Sequence, residues 1–222
     1  MKNSEKGMKR ILIFWVIGLN MLMEASVPVA KAGLSSVIGG VNAPASTLGS
    51  YTMTSFAEDL RSSYSLCSYV TSPAGENITF SIPLRKREVG VSWSTWSHDY
   101  KGDVYWTGGD EKFVILTMPE GTSAFYFYAQ PQNAAVHTIT ATAYDKNDES
   151  ERIIQNISGT GGASYYGFYN TGGSDISKIS IYGDADFAIG EFGISMIPAP
   201  DAFLLCYIGL SAVLGLKRQN LL

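Results

Sequence analysis

The chain has 222 residues, 45% of them hydrophobic and 12% aromatic, with 16 Lys plus Arg against 20 Asp plus Glu. That is enough apolar mass to bury one core. The charged fraction, only 16%, excludes both charge-driven disorder and a basic face for nucleic acid.

Residues 1–10 carry Lys2, Lys6, Lys9 and Arg10 against Glu5, and Ile11–Met23 is apolar apart from Asn20. Ala30-Lys31-Ala32 then places small residues at the −3 and −1 positions of a cleavage site. A basic start, a short apolar run and a small-residue site are the parts of a secretory signal peptide. Residues 1–32 are therefore read as a leader removed by signal peptidase, with an uncleaved N-terminal anchor as the competing reading. Residues 33–50, rich in Gly, Ser, Ala and Pro, read as a linker or a loose first strand.

From residue 51 to 197 a period of two dominates. Ile78, Phe80, Ile82 and Leu84 alternate with Thr79, Ser81 and Pro83, a half-buried strand whose proline suggests an edge or a strand end. Further strands are predicted at Val89–Trp96, Asp103–Trp106, Lys112–Met118, Ser123–Ala129 and Val136–Tyr144. Arg152–Ile157, Ala163–Tyr169, Ser177–Tyr182 and Phe187–Ser195 follow. Glycine and aspartate clusters such as Gly108-Gly109-Asp110, Gly159–Gly162 and Gly183-Asp184 separate them. A strand roughly every 10 residues predicts an all-β sandwich of about 8–10 strands. The one helical hint is Ala57–Ser62.

Residues 33–197 hold 17 acidic against 9 basic side chains, a charge of about −8 that repels nucleic acid and anionic membranes. Within this span Cys67 stands alone, so no disulfide framework is expected, and it reads as a small buried apolar residue.

The last segment reads Ile197-Pro198-Ala199-Pro200-Asp201, then the apolar run Ala202–Leu216, then Lys217-Arg218. Fifteen residues at ~1.5 Å each fall short of a ~30 Å hydrocarbon core, and snorkelling of the basic pair makes up part of the deficit. A short membrane helix retained by Lys217 and Arg218 is the expectation. The proline motif, apolar helix and basic end of residues 198–222 resemble the PEP-CTERM sorting signal of exported bacterial proteins. That resemblance implies an exosortase-like processing enzyme acting at Pro198, Ala199 and Pro200, where Ala199 stands in place of the usual Glu. Stretches including Trp93–His98, Gly102–Tyr105, Ala124–Tyr128, Ile139–Ala143 and Phe187–Gly193 also resemble the exported domain of that family. It implies a jelly-roll-like sandwich with no catalytic residue to carry over.

Signals for chemistry are sparse. The two histidines, His98 and His137, lie in different strand neighbourhoods, and no nucleophile-elbow, zinc-protease or paired-cysteine signature occurs. Gly159-Thr160-Gly161-Gly162 lacks the lysine of a phosphate loop, and Asp145–Glu149 reads as a hairpin turn rather than a calcium loop. Asp184, Asp186 and Glu191 form a candidate calcium cluster, with ordinary surface residues as the alternative; no other cofactor is implied. The densest pattern is aromatic: Trp93, Trp96, Tyr100, Tyr105 and Trp106 lie beside His98, Asp99 and Asp103. Sugar C–H faces stack on such rings while acids accept hydroxyl hydrogens. Trp96, His98, Asp99, Tyr100, Tyr105 and Trp106 are thus candidate glycan-binding residues, and core packing is the competing reading. Strand parity puts Trp96 outward and Trp93 inward.

Together these features predict a non-enzymatic, exported cell-envelope protein. It would be anchored by its C-terminal helix until processed, then reside at the cell surface or in the matrix. A structural or adhesive role in exopolysaccharide or biofilm is the first expectation, and a carbohydrate-binding module using the Trp93–Trp106 region the alternative.

Overall fold

The computed structural model describes residues 33–172 and 174–197; the leader, the Pro198–Pro200 motif, Lys217, Arg218 and the expected membrane helix lie outside the described residues. The described chain is all-β. Its strands are β1 (Leu34–Gly40), β2 (Thr47–Leu48), β3 (Tyr51–Thr52), β4 (Thr54–Ser55), β5 (Leu66–Thr71) and β6 (Asn77–Glu88), then β7 (Asp103–Trp106), β8 (Phe113–Thr117) and β9 (Thr122–Pro131). β10 (Val136–Asp145), β11 (Ser150–Ser158), β12 (Ser164–Asn170), β13 (Ile176–Gly183) and β14 (Phe187–Met196) complete the set.

One antiparallel sheet runs in the order β1-β12-β9-β14-β7-β6-β8-β13-β10-β11. It folds over at β6, whose first half pairs β8 and whose second half pairs β7. Pro83 sits where β6 changes partner, in a stretch where Cys67 and Tyr69 of β5 face Leu84 and Thr79 with a break in register. A residue without an N–H suits such an irregularity, so the proline marks a bend inside a shared strand rather than an edge. The two ends of the sheet approach each other, and Ser36 Oγ donates to Glu151 Oε1 at 2.7 Å across the seam. The result is a nearly closed barrel of two packed layers.

The main core lies between the layers. Phe125, Phe127, Tyr166, Phe168, Ile189 and Phe192 meet Ile78, Leu116, Ile139, Ile153, Ile179 and Ile181 from the opposite half. β9 is buried on both faces. Its alternate residues Ala124, Tyr126 and Tyr128 belong to a second cluster with Leu48 and Tyr165. A third cluster packs Val89 and Trp93 on Val104 and Ala188. The first layer is therefore covered outside as well, by segment 41–56 and loop 89–102.

Several expectations change here. Val89–Trp96 is not a strand: residues 90–92 form a turn with Gly90 at φ +84°, followed by an irregular loop. Residues 34–40 are a true strand, paired to β12 from Leu34↔Asn170 onward. Ala57–Ser62 is irregular rather than helical, and the strand at 66–71 had no counterpart among the predicted elements. Cys67 is fully buried in the core as expected.

Candidate functional site

β14 carries a bulge: Gly190 faces Tyr128 and Gly193 faces Tyr126, so one extra residue stands on the β14 side. Glu191, at φ +52°, takes the bulge. The extra residue turns Glu191 to the outer face while keeping Ile189, Phe192 and Ile194 in the core. At the same place the far edge of β14 passes from β7 to β4. A cleft of about 1160 Å³ opens there, bounded by residues 55–61, the end of β5, and the 100–103 turn, with Glu191 and Phe192 among its lining residues.

One wall is built by a buried ion network. The three ammonium donors of Lys86 reach Asp59 O at 2.6 Å, Arg61 O at 2.6 Å and Asp103 Oδ1 at 2.9 Å. Asp103 Oδ2 in turn accepts the Asp59 N–H at 2.7 Å. Lys86 thereby fastens the 59–61 turn, with every donor satisfied. Asp59 accepts Arg61 Nε and Nη2 and the Tyr105 hydroxyl. Burial works against its charge, but these donors win and hold its carboxyl down at about 2. Burial pushes the Tyr105 phenol up.

Arg61 also lies over the ring of Tyr69, 5.1 Å from its centroid, and Tyr69 is 44% exposed. Glu58, Leu60 and Lys101 complete the rim, exposed and without a hydrogen bond or ion pair among the described residues. Ser72, buried at the cleft wall, has a hydroxyl with no hydrogen-bond partner. The site thus offers a ring face, an ordered guanidinium and polar groups in one open groove, the layout of a small-molecule or oligomer site.

The aromatic cluster singled out in the sequence is mostly spent on packing. Trp93 is buried and its Nε1–H donates to Gln130 Oε1 at 2.9 Å. Trp96 is half-buried, not outward, and donates from Nε1 to Glu191 Oε2 at 3.0 Å. The parity argument fails because it assumed a strand where the chain turns. His98 Nε2 lies 2.6 Å from Glu191 Oε1 and its Nδ1 3.2 Å from Val41 O. Tyr105 is buried with its ring stacked on Phe192. Trp106 donates to Asp186 Oδ2 at 2.8 Å beneath the Arg87 guanidinium. Asp99 is exposed. Of the six candidates, Tyr100 and Tyr105 alone line the cleft, Tyr105 with its ring stacked on Phe192 and Tyr100 with its ring against Trp96.

The carboxylates proposed for calcium do not converge. Asp184 pairs with His137 and accepts the Thr138 N–H, Asp186 accepts from Trp106, and Glu191 accepts from Trp96 and pairs with His98. Among the described residues no group of three or more His, Cys, Asp or Glu is placed to share a metal ion. Each acid was already claimed by a neighbouring donor, which spacing along the chain does not show.

No protein-family model matches the chain, and no curated protein matches it. The solved structures to which it is similar in part include three that hold carbohydrate-binding modules. One holds carbohydrate-binding and catalytic modules of a Clostridium thermocellum xylanase complexed with xylohexaose, at 10% identity and TM-score 0.32, covering 52% of this chain and 25% of that one. Another is the carbohydrate-binding module TmCBM61 with β-1,4-galactotriose, at 16% identity and TM-score 0.30, covering 50% and 82%. The third is a xylan-binding domain from a Paenibacillus barcinonensis xylanase, at 14% identity and TM-score 0.29, covering 51% and 86%.

Proposed function

We propose that this domain is a non-catalytic glycan-binding module of the cell envelope, with a neutral oligo- or polysaccharide lying in the cleft beside Tyr69. The observation that carries the reading is the exposed Tyr69 ring, backed by Arg61 and set in an open cleft with Glu58 and Lys101 at its rim. A pyranose C–H face stacks on such a ring while charged rim groups exchange hydrogen bonds with its hydroxyls. Binding rather than cleavage is favoured by two of the wall acids, while a third, Glu191, is tied to Trp96 and His98. Asp59, held at about 2, stays ionised and has no proton to deliver at neutral pH, and Asp103 is committed to Lys86.

Export by residues 1–32 and retention and processing through Pro198–Pro200, the apolar run and Lys217-Arg218 belong to the same proposal and rest on the sequence motifs. A chain ending at residue 197 should appear in the medium rather than the membrane fraction. Its persistence in the membrane after leader removal would defeat the anchoring proposal.

The binding test is affinity electrophoresis in gels containing xylan or β-1,4-galactan, the glycans of the modules noted above. Tyr69→Ala should weaken retention roughly tenfold, equivalent to about 1.4 kcal/mol. Tyr182→Ala, exposed on the opposite layer against Phe113, should leave it unchanged. Equal loss in both variants, or no retention by the parent protein across a wider glycan panel, would sink the reading.

A further inference from the structure

One wall of the cleft, the 100–103 turn, continues the loop that carries Trp96 and His98, and Glu191 of β14 holds both side chains. The two ring nitrogens of His98 face acceptors: the Glu191 carboxylate at 2.6 Å and the Val41 carbonyl at 3.2 Å. Both contacts are satisfied only when the imidazole donates from both nitrogens, or when a neutral ring donates to Val41 and accepts from a protonated Glu191. The two arrangements contain the same proton. Remove it, and whichever tautomer forms turns a lone pair toward an oxygen.

The backbone adds leverage. His98 and Glu191 are both in the left-handed region, at φ +40° and +52°, a conformation that non-glycine residues keep only when their surroundings enforce it. We propose that His98 and Glu191 form a proton-dependent clasp on the 94–102 loop, so that the loop and the cleft wall it continues into loosen as pH rises from about 5.5 to about 8.

The other titratable groups around the clasp are phenols and the charged side chains that flank the loop. β9 presents Tyr126 and Tyr128, β12 presents Tyr165, and the loop itself presents Tyr100, all with phenols pushed up by burial. Segment 41–56 brings Tyr51, also raised by burial. Asp99, Lys101 and Asp103 flank the loop, and Asp103 is paired with Lys86. Burial raises the Glu191 carboxyl against the opposing His98 and Trp96 hydrogen bonds, so the fold favours its protonated form. That contribution fades as pH rises, in the same direction as loss of the imidazole proton.

The link to ligand retention rests on the glycan-binding reading; the clasp itself does not. Hydrogen–deuterium exchange of the whole protein at pH 5.5 and 8, corrected for intrinsic rates, reads the clasp directly. Protection of residues 94–102 should fall about tenfold relative to β9, and Glu191→Gln or His98→Gln should abolish that pH dependence. Equal protection at both pH values in the parent protein, or the same fall in the variants, overturns the clasp. If Glu191→Gln fails to fold, the two imidazole N–H resonances of His98 in the parent decide. At pH 5.5 either both of them, or one together with the Glu191 carboxyl proton, should be present and slow to exchange, and the absence of both patterns overturns the proposal. Electrophoresis in xylan gels at the same two pH values tests the coupling. Weaker retention at pH 8, lost in His98→Gln, supports it, and pH-independent retention overturns it. Absence of retention at both pH values overturns the glycan-binding reading and leaves the clasp to the exchange result.

Discussion

At the scale of single residues, the wall of the cleft depends on Lys86. Its ammonium satisfies Asp103 and two carbonyls of the 59–61 turn, and almost none of it meets solvent. Lys86→Met leaves a buried carboxylate uncompensated, and thermal unfolding should show a loss of about 3–5 kcal/mol. Gly193 tests packing instead of charge. A Cβ there would lie 2.1 Å from the Tyr126 ring, so Gly193→Ala should cost about 1–3 kcal/mol in the same assay. Asp59 gives a pH signature. Its folded carboxyl titrates near 2, below an ordinary aspartate, so its contribution is complete above about pH 4 and lost as pH falls through 2. Asp59→Asn should flatten the acid limb of the stability profile between those values. If the profile keeps its shape, the hydrogen bonds from Arg61 and Tyr105 are not what holds that carboxyl down.

Individual strands were legible in the sequence where one face alone meets the core. Ile78, Phe80 and Leu84, and likewise Val114 and Leu116, alternate with exposed neighbours and were placed correctly. The pattern misled where coverage came from outside the sheet. Val91, Trp93 and Thr95 imitate a strand, yet Gly90 starts a turn and Trp93 is buried because the loop lies across Val104 and Ala188. The cleft was legible at Tyr100 and Tyr105 alone among the glycan candidates. Asp59 and Arg61 sit in a segment that looked weakly helical, and Tyr69 follows a register break that interrupts the alternation of β5. Strand β1 was obscured by its small residues, although it covers the edge of β12. Deleting residues 33–40 should uncover that edge, and size-exclusion chromatography should then show association absent from the intact domain. A monomeric truncated chain would mean that the β12 edge is protected by other means.

For the molecule as a whole, the unusual feature is a first layer buried on both sides. Residues of β9 pack inward as Phe125 and Phe127 and outward as Tyr126 and Tyr128. The second, outer set is covered by segment 41–56 and loop 89–102, which is why the aromatic-rich stretch at 93–106 looked like a surface platform and is largely a lid. The all-β class followed from turn spacing in the sequence. The double coverage did not, because burial of a face by irregular chain leaves no period to read.

The placement of β14 sets the order of events during synthesis. This strand, the last among the described residues, is not at an edge; it lies between β9 on one side and β7 and β4 on the other. Until residue 196 has emerged, β9 and β7 lack the neighbour that joins them, and β1 likewise waits for β12. The nascent chain therefore has no N-terminal half that can close early, and it stays pliable until nearly all of it has been delivered. A chain halted at residue 186 should remain protease-sensitive throughout, whereas one halted at 197 should resist digestion. Such a vectorial delay is what the proposed export, threading the chain through a narrow channel before it takes its shape, would call for.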